Sequence, residues 1–191
     1  MDTQPRFKAS VMTSTLVFIS RELGEPALQS ILGSFDSRDI AGKKLLPSDW
    51  LPQSTYRDIL LATHKYLGSL PAPRNEDRFL FEMGKYIAQD SVNKYYKSLV
   101  RVLDTKFLLT QTPRIWKIVH THGKIQVDPS GKTGADVYIS EFPMPSREWC
   151  TMVTGFIYGV IELTKAKDIK VEQVECVLKG ARHCHFHAEW K

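Results

Sequence analysis

Apolar and polar positions in the first half of the chain recur with a helical period. Val11, Met12, Thr15, Phe18 and Ile19 fall on one stripe before Gly24, which predicts a helix over 10–24. "EPALQSILGSF" predicts a short second helix with Pro26 in its first turn. After a Pro- and Ser-rich loop, Ser54 is placed to cap a third helix that ends at Gly68. A proline linker then leads into "RNEDRFLFEMGKYIAQDSVNKYYKSLVRVL", one long helix or two. From residue 113 the period shortens. Runs of β-branched residues separated by "HGK" and "PSGKTG" predict strands near 115–121, 124–128 and 135–141. "PSREWCTMVTGFIYGVIELTKA" returns to helix, with Ser146 as its cap. Trp149, Met152, Val153, Phe156, Val160 and Leu163 form its buried stripe. Two strands, roughly 169–178 and 182–190, close the chain.

This order predicts an α+β domain. A helix-rich N-terminal half (8–110) packs on an antiparallel sheet of about four strands, with one helix between the two strand pairs (113–190). The 191 residues suffice for one domain with a full core, so 1–191 is read as a single unit.

The last strand carries the most specific pattern. Its two-residue period sends Cys184, Phe186, Ala188 and Trp190 to one face and His183, His185, His187 and Glu189 to the other. The cysteine face is apolar and belongs to the core, which separates the thiols from the neighbouring imidazoles. In the strand before it, Ile169 and Val171 share one parity while Val174, Cys176 and Leu178 share the other. That slip predicts a bulge near Glu172–Gln173. A hairpin through "LKGAR" then brings Cys176 beside Cys184, and Cys150 on the preceding helix can reach both. Three converging thiols suit a zinc ion, although buried cysteines as plain apolar filling account for them equally well.

Composition narrows the context. An odd number of cysteines, three, argues against a secreted disulfide framework. No apolar run reaches the ~18 residues of a membrane span. The N-terminus, with Asp2 near its start, is a poor signal peptide, so a cytoplasmic protein is expected. The net charge of +5 is spread over Lys43–Lys44, Lys94 to Arg101 and Lys165 to Lys170. Nucleic-acid modules gather such charge along one element, so nucleic acid is not an expected partner. No nucleophile elbow, phosphate loop or paired carboxylates occur. "PSGKTG" lacks the full phosphate-loop spacing and sits between strands, so an enzyme is not expected.

The set Trp149-Cys150, Thr154-Gly155, Gly159, Glu175-Cys176, Gly180, Cys184 and Phe186 resembles the 4-vinyl reductase domain. That bacterial domain shares a superfamily with sensory domains of aromatic-responsive transcription activators, haem nitric-oxide-binding domains and small subunits of a Golgi trafficking complex. "FEMGKYIAQDSVNKYYKSLVRVLDTKFLLTQTPRIWKIVHTHGKIQVD" is similar to a myxobacterial family of the same superfamily. The resemblance implies zinc at Cys150, Cys176 and Cys184, with a glutamate three residues before the middle cysteine. This chain has Gln173 there, a poor ligand. Its haem branch uses a Tyr-x-Ser-x-Arg motif that is absent here. His64, His120 and His122 are then the available imidazoles, and no haem is expected.

The resemblance also implies an apolar cavity between helices and sheet. Phe79, Met83, Tyr86, Phe107, Trp116, Phe142, Trp149, Met152 and Phe156 are the candidate ligand-binding residues. The expected function is a sensory, signalling domain that binds a fatty acid or aromatic small molecule. A homodimer interface or a separate effector protein would carry the output, since the last strand ends at Lys191 with no effector domain attached. The alternative is a dimeric assembly protein whose pocket is structural.

Overall fold

The computed structural model describes residues 4–72, 74–95 and 104–191, with only the backbone of 92–95. The basic stretch from Lys94 to Arg101 therefore falls almost wholly outside the described residues.

The chain forms the expected α+β architecture. Helices α1 (Ala9–Leu23), α2 (Glu25–Leu32), α3 (Gln53–Gly68) and α4 (Glu76–Tyr95) make up the N-terminal half. Short helices α5 (Thr105–Thr110) and α6 (Thr112–Val119) lead into strands β3 (Lys124–Ser130) and β4 (Gly134–Ser140). Helix α7 (Arg147–Glu162) follows, then β5 (Lys170–Glu175) and β6 (Cys184–Glu189). These four strands form one antiparallel sheet in the order β3-β4-β6-β5. A second, two-stranded sheet pairs β1 (Arg6–Lys8) with β2 (Trp50–Pro52). Among the described residues, no helix is long and apolar enough to cross a membrane.

Two local predictions differ from what forms. Residues 112–119 are a helix, not a strand. Pro113 occupies its first turn, where a missing N–H costs nothing, and the apolar pairs Ile115-Trp116 and Ile118-Val119 recur three residues apart. Helix α3 starts at Gln53, and no side chain caps it, so Ser54 lies inside the first turn. Ser146 does cap α7, with the Trp149 amide donating to its Oγ at 3.1 Å. The bulge also forms, as a register shift between Gln173 and Glu175.

Helix α7 is the structural hub. On one side it meets α4 so closely that glycine is required. A Cβ at Gly155 would lie 1.9 Å from the Phe81 carbonyl oxygen, and one at Gly84 would lie 1.9 Å from that of Met152. On its other side, α7 faces the inner surface of the sheet, where Ala135, Val137, Ile139, Cys184, Phe186 and Ala188 are all buried.

Candidate functional site

Between the helices and the inner face of the sheet lies a cavity of about 660 Å³. Helix α7 supplies Trp149, Met152, Val153, Phe156, Ile157 and Val160, and the sheet supplies Ile125, Val137 and Ile139. Helix α6 and its end contribute Ile115, Trp116, Val119 and His120, while the start of α1 adds Ser10 and Val11. The wall is thus mostly hydrocarbon with a few polar groups, the usual make-up of a small-molecule site.

Of the nine candidate residues, Trp116, Trp149, Met152 and Phe156 line this cavity. The other five lie elsewhere. Phe79 and Tyr86 pack from α4 against Phe18, at ring separations of 5.1 and 5.5 Å, and Met83 is fully buried in the core. Phe107 is half exposed. Phe142 supports the wall from behind, stacked on Trp149 at 4.1 Å and edge-on to Trp116 at 5.9 Å.

The turn after α6 holds its residues firmly. The Trp116 indole donates to the carbonyl oxygens of His122 (3.2 Å) and Gly123 (3.1 Å). Gly123 has φ +81°, and a Cβ there would press on the indole at 3.2 Å, so the position favours glycine twice over. The His120 ring stacks on Trp116 at 4.1 Å. Its Nδ1 is buried with no hydrogen-bond partner, and burial lowers its pKa to about 4, so the imidazole is neutral at pH 7. The other polar groups in the wall are better provided for. The Lys8 ammonium donates to the Ser48 carbonyl at 2.7 Å, and the Tyr56 hydroxyl lies 3.4 Å from that of Thr15.

The three cysteines converge at one end of α7. Cys150 lies in its first turn, Cys176 directly follows β5 and Cys184 opens β6. The Sγ atoms form a triangle with sides of 3.9, 4.0 and 4.0 Å, all buried. These separations are far too long for a disulfide. Thiolates bonded at about 2.3 Å to one tetrahedral ion would sit roughly 3.8 Å apart, so little rearrangement would be needed. The Cys150 thiol hydrogen-bonds to Cys184 and holds it down to about 6, while the same bond and burial push Cys150 up. The Gln173 amide lies near enough to favour a Cys150 thiolate, yet its buried Nε2 makes no hydrogen bond of ordinary geometry.

The outer face of the sheet gathers the tail histidines. Asp136 Oδ1 accepts from His185 Nε2 and His187 Nδ1, both at 2.8 Å. Desolvation acts to raise the Asp136 pKa, but these two bonds outweigh it and leave the carboxyl below its ordinary value. The Asp136 bond in turn raises the pKa of His187.

Comparison with known proteins agrees with this geometry. Residues 139–190 match the family model of the 4-vinyl reductase domain. The chain also superimposes on an H-NOX protein from S. oneidensis in its Fe(II)NO ligation state. The TM-score is 0.74 at 13% identity, covering 96% of this chain and 99% of that one. An oxygen-binding H-NOX domain related to soluble guanylate cyclases gives 0.69 at 13% identity, covering 96% of this chain and 95% of that one. A mutant H-NOX protein from K. algicida gives 0.68 at 13% identity, with 96% of each chain covered. This chain has the H-NOX fold and ends in a 4-vinyl reductase segment. No curated protein matches it.

These matches correct one expectation. The missing Tyr-x-Ser-x-Arg motif argues against haem, yet the fold is that of proteins solved in Fe(II) and Fe(II)NO states. A single motif for the carboxylates of the porphyrin is too narrow a ground when the whole H-NOX fold is retained without it. Donors of the right type are present in the wall. His120 offers an imidazole nitrogen without a partner, and Lys8 offers a cation beside exposed Ser48. These residues would hold the iron and a carboxylate of the porphyrin, and the bound group would supply reversible diatomic-gas ligation.

Proposed function

We propose that this chain is a binding and sensory domain, not an enzyme, and that the cavity against α7 takes one apolar small molecule. The carrying observation is the cavity itself, about 660 Å³ of mostly hydrocarbon-walled space. That volume lies within the range of roughly 300–1,000 Å³ typical of small-molecule sites. A medium-length acyl chain or an aromatic ring system would fit.

Output would pass through α6. This short helix turns Ile115, Trp116 and Val119 to the cavity, while Ile118 is 60% exposed on the surface. Filling the cavity would bias the position of α6, and a partner protein or a second copy of the chain would read that change.

The test is a titration of Trp116 and Trp149 fluorescence with the neutral dye N-phenyl-1-naphthylamine, in the wild type and in Val153→Trp. The expected result is saturable one-site binding that the filled cavity abolishes without loss of folding. Non-saturable quenching, or equal binding by both proteins, contradicts the reading.

A second reading rests on the unpartnered Nδ1 of His120. Haem would be the occupant, and reconstitution with hemin would produce a Soret band that His120→Phe shifts or removes. Separately, the thiol triangle would hold one thiophilic cation as a structural clamp between α7 and the closing hairpin. Metal analysis after aerobic purification should find one ion per chain, lost in Cys176→Ser.

A further inference from the structure

His120 allows the occupant of the cavity to be specified more closely; this rests on the small-molecule reading above. Among the described residues, five buried side-chain polar atoms lack a hydrogen-bond partner, and only His120 Nδ1 belongs to a residue that lines the cavity. A buried polar atom without a partner costs about 1–3 kcal/mol, so such atoms mark places where something is missing. The ring cannot readily turn away to find water. It stacks on Trp116 at 4.1 Å and meets the edge of Phe142 at 6.2 Å. Its backbone is pinned as well, with the His120 amide donating to the Trp116 carbonyl at 2.7 Å and residue 120 bridging to Phe7 of β1. The imidazole is therefore a fixed polar point in an apolar wall.

We propose that His120 Nδ1 is the polar anchor of the bound molecule, and that this molecule is uncharged, apolar in its body and tipped by one hydroxyl or carbonyl group. A neutral imidazole carries one donor and one acceptor, which matches one such group. A carboxylate fits poorly. It would give up its hydration beside an uncharged partner, and the one cation in the wall, Lys8, is engaged with the Ser48 carbonyl and the Trp50 ring, 3.8 Å from its centroid. A pure hydrocarbon fits the walls but leaves Nδ1 unsatisfied.

The test compares decanol, decanoate and decane as competitors of the bound dye at pH 7.5. The wild type is expected to bind decanol about five- to tenfold more tightly than decane, the gain of one net hydrogen bond, and decanoate more weakly than decanol. His120→Phe should bind decane as well as the wild type does and lose the preference for decanol. A second readout needs no variant. The His120 ring nitrogen resonances of the wild type should shift on adding decanol and stay in place on adding decane. Equal wild-type affinity for decanol and decane, tighter binding of decanoate, or an unchanged His120 spectrum overturns the proposal while the cavity reading stands. Failure of all three to displace the dye overturns both. A preparation in which His120 is bound to iron overturns the proposal in favour of the haem reading.

Discussion

The tight crossing of helices α4 and α7, which meet through Gly84, Gly155 and Gly159, gives the sharpest stability prediction. At an open helix position, glycine costs roughly 1 kcal/mol relative to alanine, so Gly155→Ala should stabilise if nothing opposed it. The new Cβ would stand 1.9 Å from the Phe81 carbonyl oxygen, whereas ordinary contact begins at 3.4 Å. The helices must part by about 1.5 Å, and the atom in the way is backbone, which cannot swing aside. Overpacking of side chains costs about 1–3 kcal/mol, and a backbone clash belongs at the upper end, so a net loss of about 3 kcal/mol is expected. For a chain of this size that corresponds to a melting temperature lower by roughly 6–12 °C. Parting the helices also drives α7 towards the sheet, so dye affinity should fall with stability. Thermal unfolding followed by circular dichroism measures the first effect. The control is Gly33→Ala, at φ −73° with its nearest non-local atom 3.3 Å away, which should change stability by less than about 1 kcal/mol. A Gly155→Ala melting temperature within about 1–2 °C of wild type would refute the crossing geometry, on the same size scaling.

Further predictions concern the polar clusters. Gln173→Glu adds an anionic oxygen beside the thiol triangle and should tighten zinc binding by about 10–100-fold in a chelator competition; unchanged affinity would place residue 173 outside the coordination sphere. The Asp136 bond raises the pKa of His187, so its stabilisation is complete below the unfolded value of about 6.5 and fades as pH rises through the folded one. Asp136→Asn should lower the His187 midpoint measured by NMR, and an unmoved midpoint would sink that pairing. His120 shifts the other way. Its neutral form is favoured, so its contribution to stability is complete above about pH 6.5 and is lost as pH falls towards its folded value of about 4. The acid limb of the stability curve should flatten in His120→Phe.

Legibility of these features in the sequence follows length and period. The closing strand reads directly because alternation over Cys184, Phe186, Ala188 and Trp190 has one interpretation. The same parity argument exposes the bulge, and the hairpin it implies brings the thiols together. Residues 112–119 mislead because eight residues rich in isoleucine, valine and tryptophan satisfy both periods. The three-residue strands β1 and β2 carry no periodic signal at all.

The cavity is only half legible. Phe79, Met83 and Tyr86 have the size and softness of lining residues, but whether a large side chain faces a void or another helix depends on packing between distant elements. The polar group that stands out is His120, in the sequence only one of several spare imidazoles. Its isolation becomes visible once the Trp116 turn folds over it. The exclusion of haem fails for a related reason: one motif for the carboxylates of a cofactor says little about the fold that houses it.

The central claim, an occupied apolar cavity, is tested most directly by native mass spectrometry of the freshly purified protein before and after mild organic extraction. The account predicts an adduct of a few hundred daltons on the wild type, removed by extraction and absent from Val153→Trp. A wild-type protein that is bare before extraction, and that stays bare after incubation with decanol, would contradict it.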